Sequence, residues 1–461
     1  MQLRKHLLLF LTFCTAITQA QQPNHKTTVK SIYDEVLLRG QCYQTLDYLC
    51  NKIGGRLSGS PQAEQAVNYM FATMKNYGFD TVFLQPVMVP HWVRGTKEQA
   101  AIVNGKQRIE VPICALGGSV ATPKNGIEAE VIEVKSIAEL RVLGREKISG
   151  KIVFFNRPMD PTFFHTGSAY GGAGDQRGIG PAEAARYGAI GAVVRSLTLA
   201  YDDNPHTGMT RYNDSLPKIP ACAISTKGAE TLSNLIKNNG TGKVRMYFKQ
   251  QCETLPDVLS YNVVAEIRGS EKPDEIIIAG GHLDSWDNGQ GAHDDGAGCV
   301  QSIEALRLIK VLGLKPKRTL RAVLFMNEEN GVKGGNEYAR VAALDKNTKH
   351  IAAIESDAGG FTPRAFGIED SASVPYFKTW EELFKPYGIE QIRKGWGGTD
   401  ISPMRPQGTV LIGYVPDSQR YFDYHHTAID TFDKVNKREL ELGAAAISVL
   451  MWLMSEEGIH Q

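Results

Sequence analysis

The run Ile276-Ile277-Ile278-Ala279-Gly280-Gly281-His282-Leu283-Asp284 passes through Ser285-Trp286-Asp287-Asn288-Gly289-Gln290-Gly291-Ala292-His293 into Asp294-Asp295-Gly296-Ala297. It opens as a short unbroken apolar stretch, the pattern of a strand buried on both faces. Gly, Asp and Asn then mark a turn-rich loop. From Ala297 the apolar period lengthens: Val300, Ile303, Leu306, Ile309 and Leu312 share one face of a helix expected over 298–312. Strand, loop and helix in that order form the unit of a parallel sheet, because parallel partners need a crossover connection.

Outward from this unit the pattern repeats. Strands are expected at 263–267, 320–326, 351–354 and 410–414, with a closing helix over 436–455. The predicted fold class is therefore α/β, a mostly parallel mixed sheet flanked by helices. Upstream, 28–52 carries apolar residues at helical spacing up to Gly54-Gly55, and Ser60-Pro61 opens a second helix as N-cap and first helical residue. Residues 81–89 alternate weakly, as a strand would.

In open α/β sheets, functional loops collect at the carboxyl ends of the strands. His282 follows one strand, Glu328 and Glu329 follow another, and Asp357 follows a third. Asp294 precedes a helix, and His426 lies in the loop before the last one. Two imidazoles with several carboxylates form a donor set for two metal ions, and a spare carboxylate beside the attacking water can act as general base. Asp294 is the candidate bridging ligand. Glu329, Asp357 and His426 would divide between the ions. Glu328 diverges from its neighbour and is left as the base. Asp284 is expected to orient the His282 ring, and Asp430 the ring of His426. His425 and His293 compete as ligands with their neighbours. Each motif alone has a bland reading (a surface Glu pair, a helix cap), but their shared position at one sheet edge argues for a site.

The rest of the chain limits the setting. Arg4 and Lys5, an apolar stretch over 7–16 and Thr18-Gln19-Ala20 read as a signal peptide over 1–20, too short to span a bilayer. The mature protein is expected to be secreted or periplasmic. The formal charge of +1 becomes −1 without Arg4 and Lys5; no nucleic-acid or membrane partner is indicated. Six cysteines follow Cys14, an even number that permits disulfides, but Cys42 and Cys50 share one expected helix and no Cys-x-x-Cys occurs. Residues 116–250 read as a separate α/β insertion, leaving 21–115 and 251–461 as the main domain. Within the insertion, 167–180 is glycine-rich, lacks a phosphate-loop pattern and reads as a mobile loop.

The segments Gly280-Gly281-His282-Leu283-Asp284, Asp294-Asp295-Gly296, Glu328-Glu329-Asn330-Gly331, Glu355-Ser356-Asp357-Ala358-Gly359, Gly398-Thr399-Asp400 and His425-His426-Thr427, with Gly55-Arg56-Leu57-Ser58-Gly59-Ser60, resemble the co-catalytic zinc exopeptidases that include bacterial aminopeptidases and glutamate carboxypeptidases. The resemblance spans essentially all of the mature chain. It implies two Zn2+ held by His282, Asp294, Glu329, Asp357 and His426, with Glu328 as base, and it favours His426 over His425. It also implies that 116–250 is a protease-associated domain, that the substrates are short peptides with free termini, and that a homodimer forms. His293 stands where the family is expected to be apolar, and the expectation is that it faces solvent. Asp400 is the candidate partner for a substrate ammonium. The alternatives are an aminopeptidase on longer peptides and a non-catalytic binding protein on the same scaffold.

Overall fold

The protein is described here from a computed structural model, which covers residues 25–240 and 243–459. The expected signal peptide lies outside those residues. In chain order β1 is Thr81–Val93. Strands β2 to β9 are Gln99–Asn104, Gln107–Glu110, Ile113–Ala115, Ile127–Val134, Ile152–Phe155, Gly191–Arg195, Ala221–Ile224 and Val244–Lys249. Strands β10 to β16 are Glu253–Ile267, Lys272–His282, Arg318–Phe325, Lys349–Glu355, Pro363–Ile368, Gln391–Lys394 and Val410–Pro416.

Among the described residues these form two eight-stranded sheets. The first runs β1-β10-β12-β11-β13-β16-β14-β15 and the second β3-β2-β9-β5-β6-β7-β8-β4. In the first sheet the central pairs β12–β11, β11–β13 and β13–β16 are parallel, and antiparallel pairing is confined to the flanks. The predicted α/β class with a mixed, centrally parallel sheet is what the chain adopts.

The isoleucine run shows why. Ile277 and Ala279 pack into one buried cluster, Ile276 and Ile278 into another on the opposite face. Successive strand side chains alternate between faces, so a continuous apolar run is stable only where helices cover both. Ala297–Val311 and Lys437–Glu457 cover one face as a pair of almost wholly buried helices. Lys333–Leu344 covers the other through Tyr338 and Ala339. Burying each large aliphatic side chain contributes roughly 1.5–3 kcal/mol.

Local signals behave as their chemistry requires. Ser60 Oγ accepts from Ala63 N at 3.1 Å and starts the helix Pro61–Asn76. The expected single helix over 28–52 is instead Lys26–Arg39 and, after a break at Gly40, Cys42–Tyr48 running on into a π-helical turn over Leu49–Ile53. A Cβ at Gly40 would lie 2.5 Å from Val36 O and 2.8 Å from the Glu441 carboxylate, so the break is a close approach to the last helix.

The expected boundary near 116 also needs correction. The second sheet begins at Gln99, because β2 pairs with β9 and β3 pairs with β2. Residues 167–180 are not an open loop: Thr166–Ala173, Asp175–Gly178 and the start of Gly180–Arg186 are helical. They pack, in the cluster of Met159, Ala169, Ala173, Phe361, Tyr421 and Phe422, against the loop before β14 and the short helix Tyr421–Tyr424. The six cysteines after Cys14 are free and buried. No helix among the described residues is long and apolar enough to cross a membrane.

The sheet edges are short or interrupted. β1 carries Pro86 and Pro90 and a register shift between Val89 and His91. The opposite edge, β15, has only 4 residues. The outer strands of the second sheet, β3 and β4, have 4 and 3.

Candidate metal centre

His282 is the last residue of β11, and Glu328 and Glu329 lie just beyond β12. Asp357 lies just beyond β13, and Asp294 lies just before the helix Ala297–Val311. His426 follows the short helix Tyr421–Tyr424 with φ +64. The fold brings all six side chains of the sequence reading to one edge of the first sheet.

Asp294 is at the middle. Its Oδ1 lies 3.1 Å from His282 Nε2, and its Oδ2 lies 3.3 Å from His426 Nε2. His426 Nε2 is also 3.1 Å from Glu329 Oε2, and His282 Nε2 is 3.6 Å from Asp357 Oδ1. Candidate ligand atoms of His282, Asp294 and Glu329 lie within 4.8 Å of one another, as do those of His282, Asp295 and Asp357. A third such group joins Asp294 to both His425 and His426. His425 Nε2 lies 3.6 Å from Asp294 Oδ2, and its ring stacks on that of His426 with centroids 3.5 Å apart.

The supports differ in part from expectation. His282 Nδ1 faces the backbone carbonyl of Asp284 at 2.9 Å, whereas the Asp284 carboxylate is 3.8 Å away. That carboxylate instead accepts from Asn327 N and Glu328 N at 2.7 and 3.0 Å, fixing the turn that presents the glutamates. Asp430 does not orient His426 either. It accepts from His293 N at 2.8 Å and Asp294 N at 3.1 Å, holding the backbone that carries Asp294. His426 Nδ1 faces Thr207 O at 3.2 Å, a carbonyl contributed by the loop between β7 and β8.

His293 is fully buried, contrary to the solvent-facing expectation. Its ring stacks on Phe361, centroids 4.2 Å apart, and Nδ1 accepts from Gly360 N at 3.2 Å. Nε2 lies 3.3 Å from Lys434 O. It turns away from the cluster because its neighbours offer an aromatic slot and two backbone partners.

Four contributors were missed. Asp295 Oδ2 accepts from His282 N at 3.0 Å while Oδ1 accepts from Gly298 N at 2.9 Å, tying strand end to helix start. Arg56, 0 % exposed, donates to the carbonyls of Leu283, Gln290 and Gly291 at 2.6, 2.7 and 3.0 Å, clasping the loop between His282 and Asp294. Arg177 donates to Thr207 O at 3.2 Å and to Tyr170 OH, and its Nη1 is 3.4 Å from His426 Nδ1. Thr207 is the fourth. Of these, Asp295 and Arg56 sit inside segments that the sequence singles out, and Arg177 and Thr207 do not.

The electrostatics are those of a cation site. Burial pushes the carboxyls of Asp294 and Glu329 upward, and neighbouring carboxylates add to it. Burial raises Glu328 to about 7; His282 opposes this, while Asp357 and Asp294 reinforce it. Burial opposes protonation of His282, but Asp294 and Asp357 outweigh it and hold its pKa well above the ordinary value. Burial holds His425 and His426 well below theirs. Asp294 Oδ2 is buried without a hydrogen-bond partner. Carboxylates crowded around His282 and His426, with an orphaned oxygen among them, fit divalent cations, and the N/O donor set suits zinc.

Asp400 is 1 % exposed and both of its oxygens lack a hydrogen-bond partner. Burial, then Glu355 and Glu328, push it well up. Its neighbour Glu355 accepts from Thr399 N and Ile401 N at 2.7 and 3.0 Å. Beside Asp357 opens a cavity of ≈ 350 Å³, lined by Glu355 and Gly398 and by His165 and Ser168 from the segment between β6 and β7.

Comparison with known proteins agrees with this chemistry. Residues 262–451 match the model of Peptidase family M28. Carboxypeptidase Q of Xenopus laevis is 37% identical over 438 residues, 94% of this chain and 90% of that protein. A solved Peptidase M28 precursor from Shewanella amazonensis SB2B aligns with TM-score 0.89 and 32% identity, covering 95% of this chain and 98% of that one. A zinc aminopeptidase from Bacillus subtilis shares the fold at TM-score 0.61 and 17% identity, over 89% and 93% of the two chains.

Proposed function

The chain belongs to peptidase family M28, and from that membership and the strand-end cluster we propose that it is a secreted zinc exopeptidase, holding two ions and hydrolysing dipeptides or other short peptides with free termini. The reading rests on one observation: Oδ1 of Asp294 faces His282 while Oδ2 faces His426. A carboxylate so shared suits a pair of metals ~3.5–4 Å apart. His282 and Asp357 would hold one ion, Glu329 and His426 the other, with Asp294 between them. Bound zinc polarises the scissile carbonyl and lowers the pKa of the attacking water.

The chain's own groups supply the rest. Glu328 takes a proton from the attacking water and delivers it to the leaving nitrogen. The Asp284 carboxylate holds the 327–328 turn in register for that transfer. Asp400, unpartnered and buried, would take the substrate ammonium. The second sheet walls the cleft as the inserted domain, and its helix Thr166–Ala173 contributes Gly167 and Ser168 to the cavity lining. Export rests on the N-terminal sequence alone, and a second copy of the chain as partner rests on the family.

The test pairs metal analysis with a dipeptide panel for the wild type and Glu328→Gln. Two zincs per chain in both proteins are expected, with turnover lowered about 10²–10⁴-fold in the variant. One zinc per chain, or a variant as active as the wild type, would overturn the assignment. A peptide length series separates this reading from an aminopeptidase on longer peptides.

A further inference from the structure

One wall of the cavity beside Asp357 carries a cation that the metal centre does not use. Arg393 lies on the edge strand β15 and lines the same ≈ 350 Å³ space that Asp357 and Glu355 line. Its Nη1 donates to the carbonyl of Lys394 at 3.4 Å. Among the described residues no carboxylate lies within ion-pair distance of it. Its neighbours are different: Arg364 pairs with Asp417 at 3.2 Å and approaches Glu390 at 3.9 Å, and Arg405 pairs with Glu369. Arg393 is the partly buried arginine of this region that has been left without a counter-ion on the cleft side.

The rest of the cavity suits a peptide end. Gly395, Gly397 and Gly398 line it with bare backbone, packed too closely on Gly367, Leu411 and the Glu355 carboxylate to carry side chains, and Trp396, 63% exposed, also lines it. The cavity thus carries both signs of charge, the carboxylates of Asp357 and Glu355 and the guanidinium of Arg393. A guanidinium presents donors in a planar fork that matches a carboxylate. One extended residue spans only ~3.3–3.6 Å, so an anchor in so small a space limits how many residues fit beyond the scissile bond.

We propose that Arg393 receives the α-carboxylate of the substrate's leaving residue, which makes a free C-terminus one residue beyond the scissile bond a requirement for tight binding. The inference rests on the peptidase reading given above and deepens it by assigning the end of the peptide that is recognised.

The experiment compares a dipeptide with its C-terminal amide in the wild type, Arg393→Ala and Arg393→Lys, with zinc content measured for each. The wild type is expected to favour the free acid in KM roughly tenfold to a hundredfold, the value of hydrogen bonds to a charged group. In Arg393→Ala that acid-to-amide ratio falls to near one, and Arg393→Lys lies between. An unchanged ratio overturns the assignment, and so does a loss confined to substrates with an acidic leaving side chain. Calorimetric binding of a non-hydrolysable dipeptide analogue, as acid and as amide, gives the same ratio without turnover. A wild type that cleaves no peptide yet binds the acid in preference would sink the peptidase reading and leave the Arg393 assignment standing. A wild type with no acid preference in binding overturns the assignment itself.

Discussion

The carbonyl oxygen of Thr207 lies 3.2 Å from Nδ1 of His426, although 219 positions separate the two in sequence. The ring of His426 therefore meets the loop between β7 and β8 rather than a partner from its own loop. Arg177 donates to the same carbonyl at 3.2 Å and lies over the ring of Tyr170, so the support is itself held.

Arg177→Ala is expected to weaken zinc binding roughly 10–100-fold, the usual effect of losing an outer partner of a metal-binding histidine. Chelator competition on the folded protein measures it. Affinity equal to the wild type would mean that the Thr207 carbonyl is fixed without Arg177.

Arg56→Met should destabilise the protein by about 3 kcal/mol or more. Three buried carbonyls lose a charged donor, and each unsatisfied group costs roughly 1–3 kcal/mol. Denaturant unfolding of the zinc-bound protein reads this directly, and a midpoint equal to that of the wild type would contradict it.

His293→Leu should retain zinc stoichiometry and activity within about threefold, because the ring stacks on Phe361 and turns from the cluster. The loss of its contacts with Gly360 N and Lys434 O is expected to lower stability by roughly 1–3 kcal/mol. Loss of one zinc per chain would instead make His293 part of the centre.

Acid should destabilise the fold through His350. Burial, then Arg321, lowers this histidine to about 3, against an ordinary value near 6.5. Between those values the unfolded chain binds the extra proton and the folded chain does not. The stability is thus complete above pH ~6.5 and is lost as pH falls toward 3. His206, lowered by burial to about 4 with no partner on either ring nitrogen, acts in the same sense. In His350→Gln the slope of stability against pH across this window should shrink by up to about one proton; an identical slope would refute the account.

The legible parts of this molecule were those where chemistry and sequence neighbourhood coincide. The isoleucines of β11, the cap at Ser60 and the strand-end carboxylates each declare themselves within a few residues. What stayed hidden depended on distant partners. The carboxylates of Asp284 and Asp430 were expected to meet imidazoles but meet backbone N–H groups, a choice that only the folded chain makes. Arg177 and Thr207 carry no motif. β14 and β15 were missed because Arg364 and Arg393 interrupt short strands without a clear period. The glycine-rich 167–180 segment was misjudged because tertiary packing under Tyr421 and Phe422 overrides weak helix propensity.

The outer strands have a consequence for how molecules of this protein meet. Unpaired strand edges are templates on which chains add to one another. Here one edge is interrupted by Pro86, Pro90 and a bulge, and the other three are strands of 4, 4 and 3 residues. Neither sheet offers a long straight ladder for a second copy to continue. Association between copies is then left to side-chain surfaces, and growth of open-ended β-fibres from the native state is disfavoured by construction.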